Sequence, residues 1–278
     1  WSNFMDADVF PNTIDYWGPT GMVFYRNKQL RYTFDVGEDE FALSLEDPDT
    51  ALTVGKFRDQ CIDPLEDNCD SVLNDVFQKY NDVPDFTPRY RNNTDWGHWQ
   101  LAGIVRKLGY ERLDNGKSDY EVGYGFNAST VINMFERDKL KLQLAYGEGI
   151  GNYFNDGGLD VAPDSADINT ADATAVTILG VVAYYDHYWN DKWSTTVGWS
   201  MTDLDDEDGQ AFDEFKKGRG TYLCLYEVET DDIEELFDRV DALELKGAKN
   251  KISFFGDFRV RYDYQNRHVA AYNQVVGM

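Results

Sequence analysis

The sequence predicts an all-β fold: an antiparallel transmembrane β-barrel, complete or incomplete, with a short C-terminal amphipathic helix. Three observations lead there. Apolar and polar residues alternate with a period of two through six segments and loosely through a seventh, and an eighth is apolar nearly throughout. The connections between these segments run short, long, short, long. Most of the net charge of −25, set by 51 acidic and 26 basic residues, lies in the long ones.

The segments in chain order are as follows. In 30–36, Leu30, Tyr32, Phe34 and Val36 oppose Arg31, Thr33 and Asp35. In 41–46, Phe41, Leu43 and Leu45 oppose Ala42, Ser44 and Glu46. Segment 86–94 is the loose one, with Phe86, Pro88 and Tyr90 opposite Thr87, Arg89 and Arg91. In 98–106, Trp99, Leu101 and Val105 oppose Gln100, Ala102 and Arg106. In 120–127, Tyr120, Val122, Tyr124 and Phe126 oppose Glu121 and two glycines. In 140–147, Leu140, Leu142, Leu144 and Tyr146 oppose Lys141, Gln143, Ala145 and Gly147. Segment 176–189 is apolar nearly throughout. In 193–202, Trp193, Val197, Trp199 and Met201 oppose Ser194, Thr196, Gly198 and Ser200.

Alternation alone fits a soluble sandwich as well as a membrane barrel, since both have one apolar and one polar face. The connections separate the two. Short ones at 37–40, 95–97, 136–138 and 190–192 alternate with long ones at 46–85, 107–119, 148–174 and 203–218. Outer-membrane barrels have this asymmetry, with tight periplasmic turns and long outer loops. The stretches 46–85, 148–174 and 203–218 hold 24 acids and 5 bases, which leaves the strands nearly neutral. Aromatics gather beside the short turns: Trp96 and Trp99 at one, Tyr184, Tyr185, Tyr188, Trp189 and Trp193 at another. Tyr and Trp favour the membrane interface, where ring and polar tip are both satisfied. Ordinary aromatics of a soluble core are the plainer reading, and the loop asymmetry favours the girdle.

Composition excludes several classes. The acidic balance argues against nucleic acid, whose phosphates need clustered Lys and Arg. No stretch approaches the ~20 apolar residues of a membrane helix. Three cysteines are too few for a disulfide scaffold. Cys61 and Cys69 lie in one long loop and either close a small disulfide or remain free thiols; Cys224 has no partner. His98, His187 and His268 are isolated, so no metal site, cofactor or catalytic grouping is expected. The run Asp203–Gly209 looks calcium-like but fails the EF-hand pattern, and reads as a solvated loop.

Residues 1–220 resemble the DcaP-like family of trimeric outer-membrane porins and, more distantly, the phosphate-selective porins. The stretches that carry the likeness are WSNFMDADVFPNTIDYWGPTGM (1–22), RYTF (31–34), DWGHWQLAGIVRKLGY (95–110), LAYGEGIGNYFNDGG (144–158), YYDHYWNDKWS (184–194) and FKKG (215–218). The resemblance implies a sixteen-stranded barrel, a homotrimer in the bacterial outer membrane beside lipid and lipopolysaccharide, and passive uptake of small anions such as dicarboxylates. It also implies that the aromatic segment 1–22, which is not a strand, lies near the barrel interior and narrows the pore; a surface loop is the alternative. Residues 1–226 would be barrel, 231–247 a coiled-coil segment with Ile233, Leu236, Val240 and Leu243 at heptad spacing, and 251–278 a further strand and tail. That tail looks like the beginning of a porin, an order that a fusion of two fragments or a gene-assembly error would explain.

Selectivity in a pore needs charged side chains that project into the lumen. Strand parity puts Arg31, Arg89, Arg91, Arg106 and Lys141 on the polar face, and Arg26 lies just before the first strand. Arginine binds carboxylates with two parallel hydrogen bonds, which suits an anion path. The alternative is that these cations pair with Asp35, Glu46 or Glu121 across the lumen. The competing whole-protein reading is a soluble secreted β-sandwich that binds carbohydrate on its aromatics, followed by a β-rich glycosidase.

Overall fold

The computed structural model describes residues 1–12, 18–37, 39–57, 77–113, 116–167, 169–190, 192–212 and 214–227. Strands β1 (Gln29–Val36), β2 (Asp39–Glu46), β4 (Asp85–Thr94), β5 (Gly97–Arg112), β6 (Lys117–Met134), β7 (Asp138–Glu148), β10 (Thr177–Tyr188), β11 (Trp193–Leu204) and β12 (Lys217–Glu227) form one antiparallel sheet. They neighbour each other in that order, so consecutive long strands always pair. Strand β3 (Phe77–Tyr80) adds to β5, and β8 (Val161–Pro163) pairs with β9 (Ala173–Ala175) apart from the main sheet. No helix among the described residues is long and apolar enough to cross a membrane.

The polarity of this sheet is the reverse of a soluble protein's. Its apolar side is exposed: Leu30 (74 % exposed), Tyr32, Leu43, Leu45, Leu101, Val105, Val122, Tyr124, Leu144, Val197 and Leu223 all face outward. Its polar side is covered: Ser44, Thr87, Gln100, Arg106, Asn127, Ser129, Gln143, Asp186, Thr196, Ser200 and Thr202 are buried. An apolar outer surface that runs across the strands of one sheet needs lipid or a partner to cover it. A sandwich would pack these apolar faces against each other, so that alternative does not describe this sheet.

On β6, Tyr120 and Thr130 both face outward, and Thr130 pairs with Trp99 across the ladder. Ten residues at ~3.3 Å each give roughly 33 Å of strand, or about 23 Å along the normal at a tilt of ~45°. That is close to the ~25 Å apolar band of an outer-membrane barrel. Near the short turns a run of rings crosses four strands: Phe34 stacks on Phe41 at 5.5 Å, Phe41 meets Tyr90 at 4.7 Å, and Tyr90 meets Trp99 at 5.0 Å.

Two features depart from the expectation. The connection expected over 107–119 shrinks to 113–116, because β5 and β6 continue to the pair Arg112–Lys117. Charged residues at 111–118 resemble a loop but here extend the ladder. Strand β12 was not expected either; Gly218 and Gly220 remove the alternation that would have marked it. The heptad segment 231–247, the tail 251–278, Cys61 and Cys69 lie outside the described residues.

Candidate functional site

The inner face is filled by the chain itself. Residues 1–12 and 18–25, with the connection after β7, lie against it. Phe4, Met5, Val9, Met22 and Val23 pack with Ile104, Val131, Ile150, Tyr153, Val182 and Tyr184 in one buried cluster. The described residues 1–12 and 18–22 are thus interior, not a surface loop. Apart from the bridge Val23–Phe154, the segment's described backbone joins no strand ladder, and a buried peptide group needs a partner. Side chains of the wall supply it. In the reverse sense, the Asn3 side chain of the segment donates to the wall carbonyls of Thr87 (2.6 Å) and Ala42 (3.2 Å). Asn127 donates to Phe4 O (2.9 Å), Gln100 to Met5 O (3.2 Å), and Gln143 to Gly21 O (3.1 Å). Further round, Asn12 donates to Ser194 Oγ (2.8 Å) and accepts from Thr196 Oγ1 (2.8 Å). Gly21, at φ +79°, lies so close to β11 that a Cβ would stand 1.9 Å from Met201 O.

The structure places the six expected cations as follows. Arg106 is on the inner face, 1 % exposed at its side chain. It reaches Asp85 and Asp160, both at 2.9 Å, donates to Gly149 O (2.8 Å) and Asp49 O (2.6 Å), and lies over the Tyr153 ring. Arg89 pairs with Glu40. Arg91 pairs with Asp8 (2.6 Å) and stands 3.6 Å from Asp6. Lys141 pairs with Asp186 (2.7 Å) and donates to Phe10 O (2.6 Å). Arg31 is exposed and donates to Gln29 and to Trp1 O, and Arg26 lies over the Trp1 ring at 5.8 Å. Arg26 and Arg31 have no carboxylate within ion-pair distance among the described residues. The acids used are therefore not Asp35, Glu46 and Glu121. Glu46 instead accepts from Asn3 N–H (2.8 Å), Ser44, Thr87 and Asn27.

Two open spaces flank the inner segment. At the short-turn end a cleft of about 550 Å³ is bounded by Asp8, Phe10, Asn93, His98, Lys139 and Lys141. Lys139 is exposed there without an ion pair among the described residues; the parity that identified Lys141 would have identified it too. At the other end a cleft of about 710 Å³ lies between Tyr25, Phe154, Asp156, Glu214 and Phe215.

Electrostatics hold the segment in place. Burial pushes the Asp6 carboxyl up, but hydrogen bonds from His98 (2.9 Å) and Ser129 (2.6 Å), with the nearby Arg91, bring it below the usual carboxylate value. Burial raises the Tyr153 hydroxyl far above its ordinary value, helped by Asp85 and Glu46, so it stays protonated and donates to Asp85 (2.9 Å). Asp6, Asp8 and His98 have the spacing of metal ligands. The Asp6 oxygens already accept from Asp8 N–H, His98 and Ser129, and Arg91 lies beside them, so the donor set is filled by the protein.

Among solved structures the chain is similar to the outer membrane channel DcaP of Acinetobacter baumannii, with a TM-score of 0.64 and 16 % identity. The match covers 82 % of this chain and 59 % of that one, so the chain spans less than two thirds of the structure it matches. At that identity the likeness is one of fold: an all-β, porin-like antiparallel sheet. No protein-family model and no curated protein matches the chain.

Proposed function

We propose that the chain is the wall and the inward-folded constriction of an outer-membrane channel, which passes small anions such as dicarboxylates and assembles as a homotrimer. The observation that carries this reading is the reversed polarity of the sheet, apolar outside and polar inside over about one membrane thickness. The fold likeness to an outer membrane channel supports it. Anion preference follows from which charges have partners. Arg89, Arg91, Arg106 and Lys141 are each balanced by a carboxylate, so the local field on the path comes from Arg26, Arg31 and Lys139. The acidic loops carry more charge, but their field decays over ~8 Å at physiological salt.

The test is conductance of the full chain in a planar bilayer under a salt gradient. The reversal potential should have the sign of anion preference and move toward cations in Arg31→Glu. Cation preference in the wild-type chain would refute the anion path, and an absence of conductance from a membrane-inserted chain would refute the channel.

A further inference from the structure

The cleft of about 710 Å³ at the long-connection end carries charges that a plain anion path does not call for. It lies between the connection after β7 and the one that precedes β12. Asp156, exposed in the first, accepts from the Thr20 hydroxyl and from Asn155 Nδ2 (3.4 Å). Glu214, in the second, accepts from the Thr53 hydroxyl through Oε1, and its Oε2 is buried with no donor. Among the described residues neither carboxylate has a cation within ion-pair distance. The basic residues along the cleft do not answer them. Lys217 is paired with Asp203. Arg219 has the strand parity of Leu223, so its side chain points to the outer face. A buried acceptor without a donor is uncommon in native structures, and two carboxylates in one cleft without a cation attract one. Phe154 and Phe215 give the same cleft two aromatic rings. Tyr25 borders both this cleft and a neighbouring one of about 560 Å³ that holds Arg26, one of the cations without an ion pair among the described residues.

We propose that this cleft is the entry subsite for a dicarboxylate that also bears an ammonium group, an α-amino dicarboxylate. The inference rests on the channel reading above and names the class of anion it passes. The ammonium is held by Asp156 and Glu214, the carbon stem lies against Phe154 and Phe215, and the carboxylates are drawn toward Arg26. An ammonium has three donors and no acceptor, which matches two carboxylates that lack a cation. Aromatic rings add to the hold on a cation. Other solutes fit less well. A dicarboxylate without the ammonium meets only like charge from Asp156 and Glu214. A neutral sugar leaves both negative charges unbalanced. A diamine is balanced here and is then turned back by Arg26, Arg31 and Lys139. An amino dicarboxylate remains a net anion, so it suits both the acidic entry and the cationic path beyond it.

The experiment uses the full chain. Folding in non-ionic detergent is verified by β-type circular dichroism and heat-modifiable gel mobility, and chloride current is then recorded in a planar bilayer. An inserted chain without current overturns the channel reading, and the entry role with it. In the conducting chain L-glutamate, glutarate and glucose are titrated from the side of the long connections, and the concentration that halves the chloride current is compared. L-Glutamate should block at a concentration at least fivefold below glutarate or glucose. The variants D156N and E214Q, each verified as folded in the same way, should raise the half-blocking concentration of L-glutamate at least fivefold and leave that of glutarate no higher than in the wild type. A merely structural effect of either substitution would weaken both solutes alike and would overturn the subsite. Equal block by glutarate in the wild type would show that the ammonium is not read, and equal block by glucose would make the cleft a polyol site. Either result, or unchanged L-glutamate block in both folded variants, would overturn the proposal while leaving the channel standing.

Discussion

Arg106 is the group whose removal the structure weighs most clearly. Its guanidinium joins the β5 wall to two long connections, through Asp49 O in one and Gly149 O and Asp160 in the other. Arg106→Met keeps the volume and removes the charge. Breaking a buried ion pair by deleting one partner costs about 3–5 kcal/mol, because the other charge stays buried. The two carboxylates left behind do not suffer equally. Asp160 keeps hydrogen bonds from Ala51 N–H (2.8 Å) and Asn152 N–H (2.9 Å). Asp85 keeps the Tyr153 hydroxyl, and its Oδ1 already has no partner. Most of the loss therefore falls at Asp85, and Asp85→Asn in the Arg106→Met background should recover part of it, a coupling of about 1–3 kcal/mol. The assay is hydrogen exchange of the amides in 149–160, with urea unfolding in detergent as the global measure. A cost of ~3 kcal/mol at roughly 1.4 kcal/mol per tenfold speeds exchange there by about two orders of magnitude. If exchange in Arg106→Met stays within threefold of wild type, the guanidinium does not hold these connections to the wall.

Other expectations follow from the same contacts. Arg31→Glu and Lys139→Glu should each shift the reversal potential toward cations with little change in unfolding midpoint, since neither side chain is in an ion pair among the described residues; bilayer recordings and urea curves check both halves. Gly21→Ala should destabilise the interior segment by at least ~1 kcal/mol, because a left-handed conformation is costly for alanine and the new Cβ meets Met201 O; limited proteolysis within 1–25 would report it, and unchanged protection would count against the packing. Asp6 has a lowered folded value, so its contribution is complete above the ordinary carboxylate value near 3.8 and is lost as pH falls through the lower folded one. Acid should therefore release the segment from His98 and Ser129 in the wild type, while Asp6→Asn should show the loosened state already at neutral pH, as read by proteolysis.

The outward pattern was legible because the outward positions of this sheet are apolar and the inner ones polar, so β2, β5, β6, β7 and β11 alternate cleanly. Strand β10 hid its alternation for a physical reason: its inner positions Ile178, Val182 and Tyr184 pack on the interior segment and are apolar as well. Parity placed Arg106 and Lys141 on the inner face, but could not supply their partners. Asp6, Asp8 and Asp160 reach Arg91 and Arg106 from other parts of the chain, and only tertiary contact brings them together. Lys139 lay within reach of the parity argument and was hidden by its place beside a turn.

The composition of the inner face carries one more consequence. A wall that met only water would need polar side chains of no particular kind, since water satisfies any donor or acceptor. This wall instead places long amides at Gln100, Asn127 and Gln143, each donating to a different carbonyl of the interior segment. Irregular backbone inside a membrane protein is tolerated where protein groups or a water-filled cavity satisfy it. Here the strands do so side chain by side chain, and each such bond contributes about 0.5–1.5 kcal/mol. In the proposed channel the constriction is therefore set by the same residues that make the wall polar. Widening it means breaking several amide contacts at once, while changing its sign means altering only the cations that no carboxylate answers.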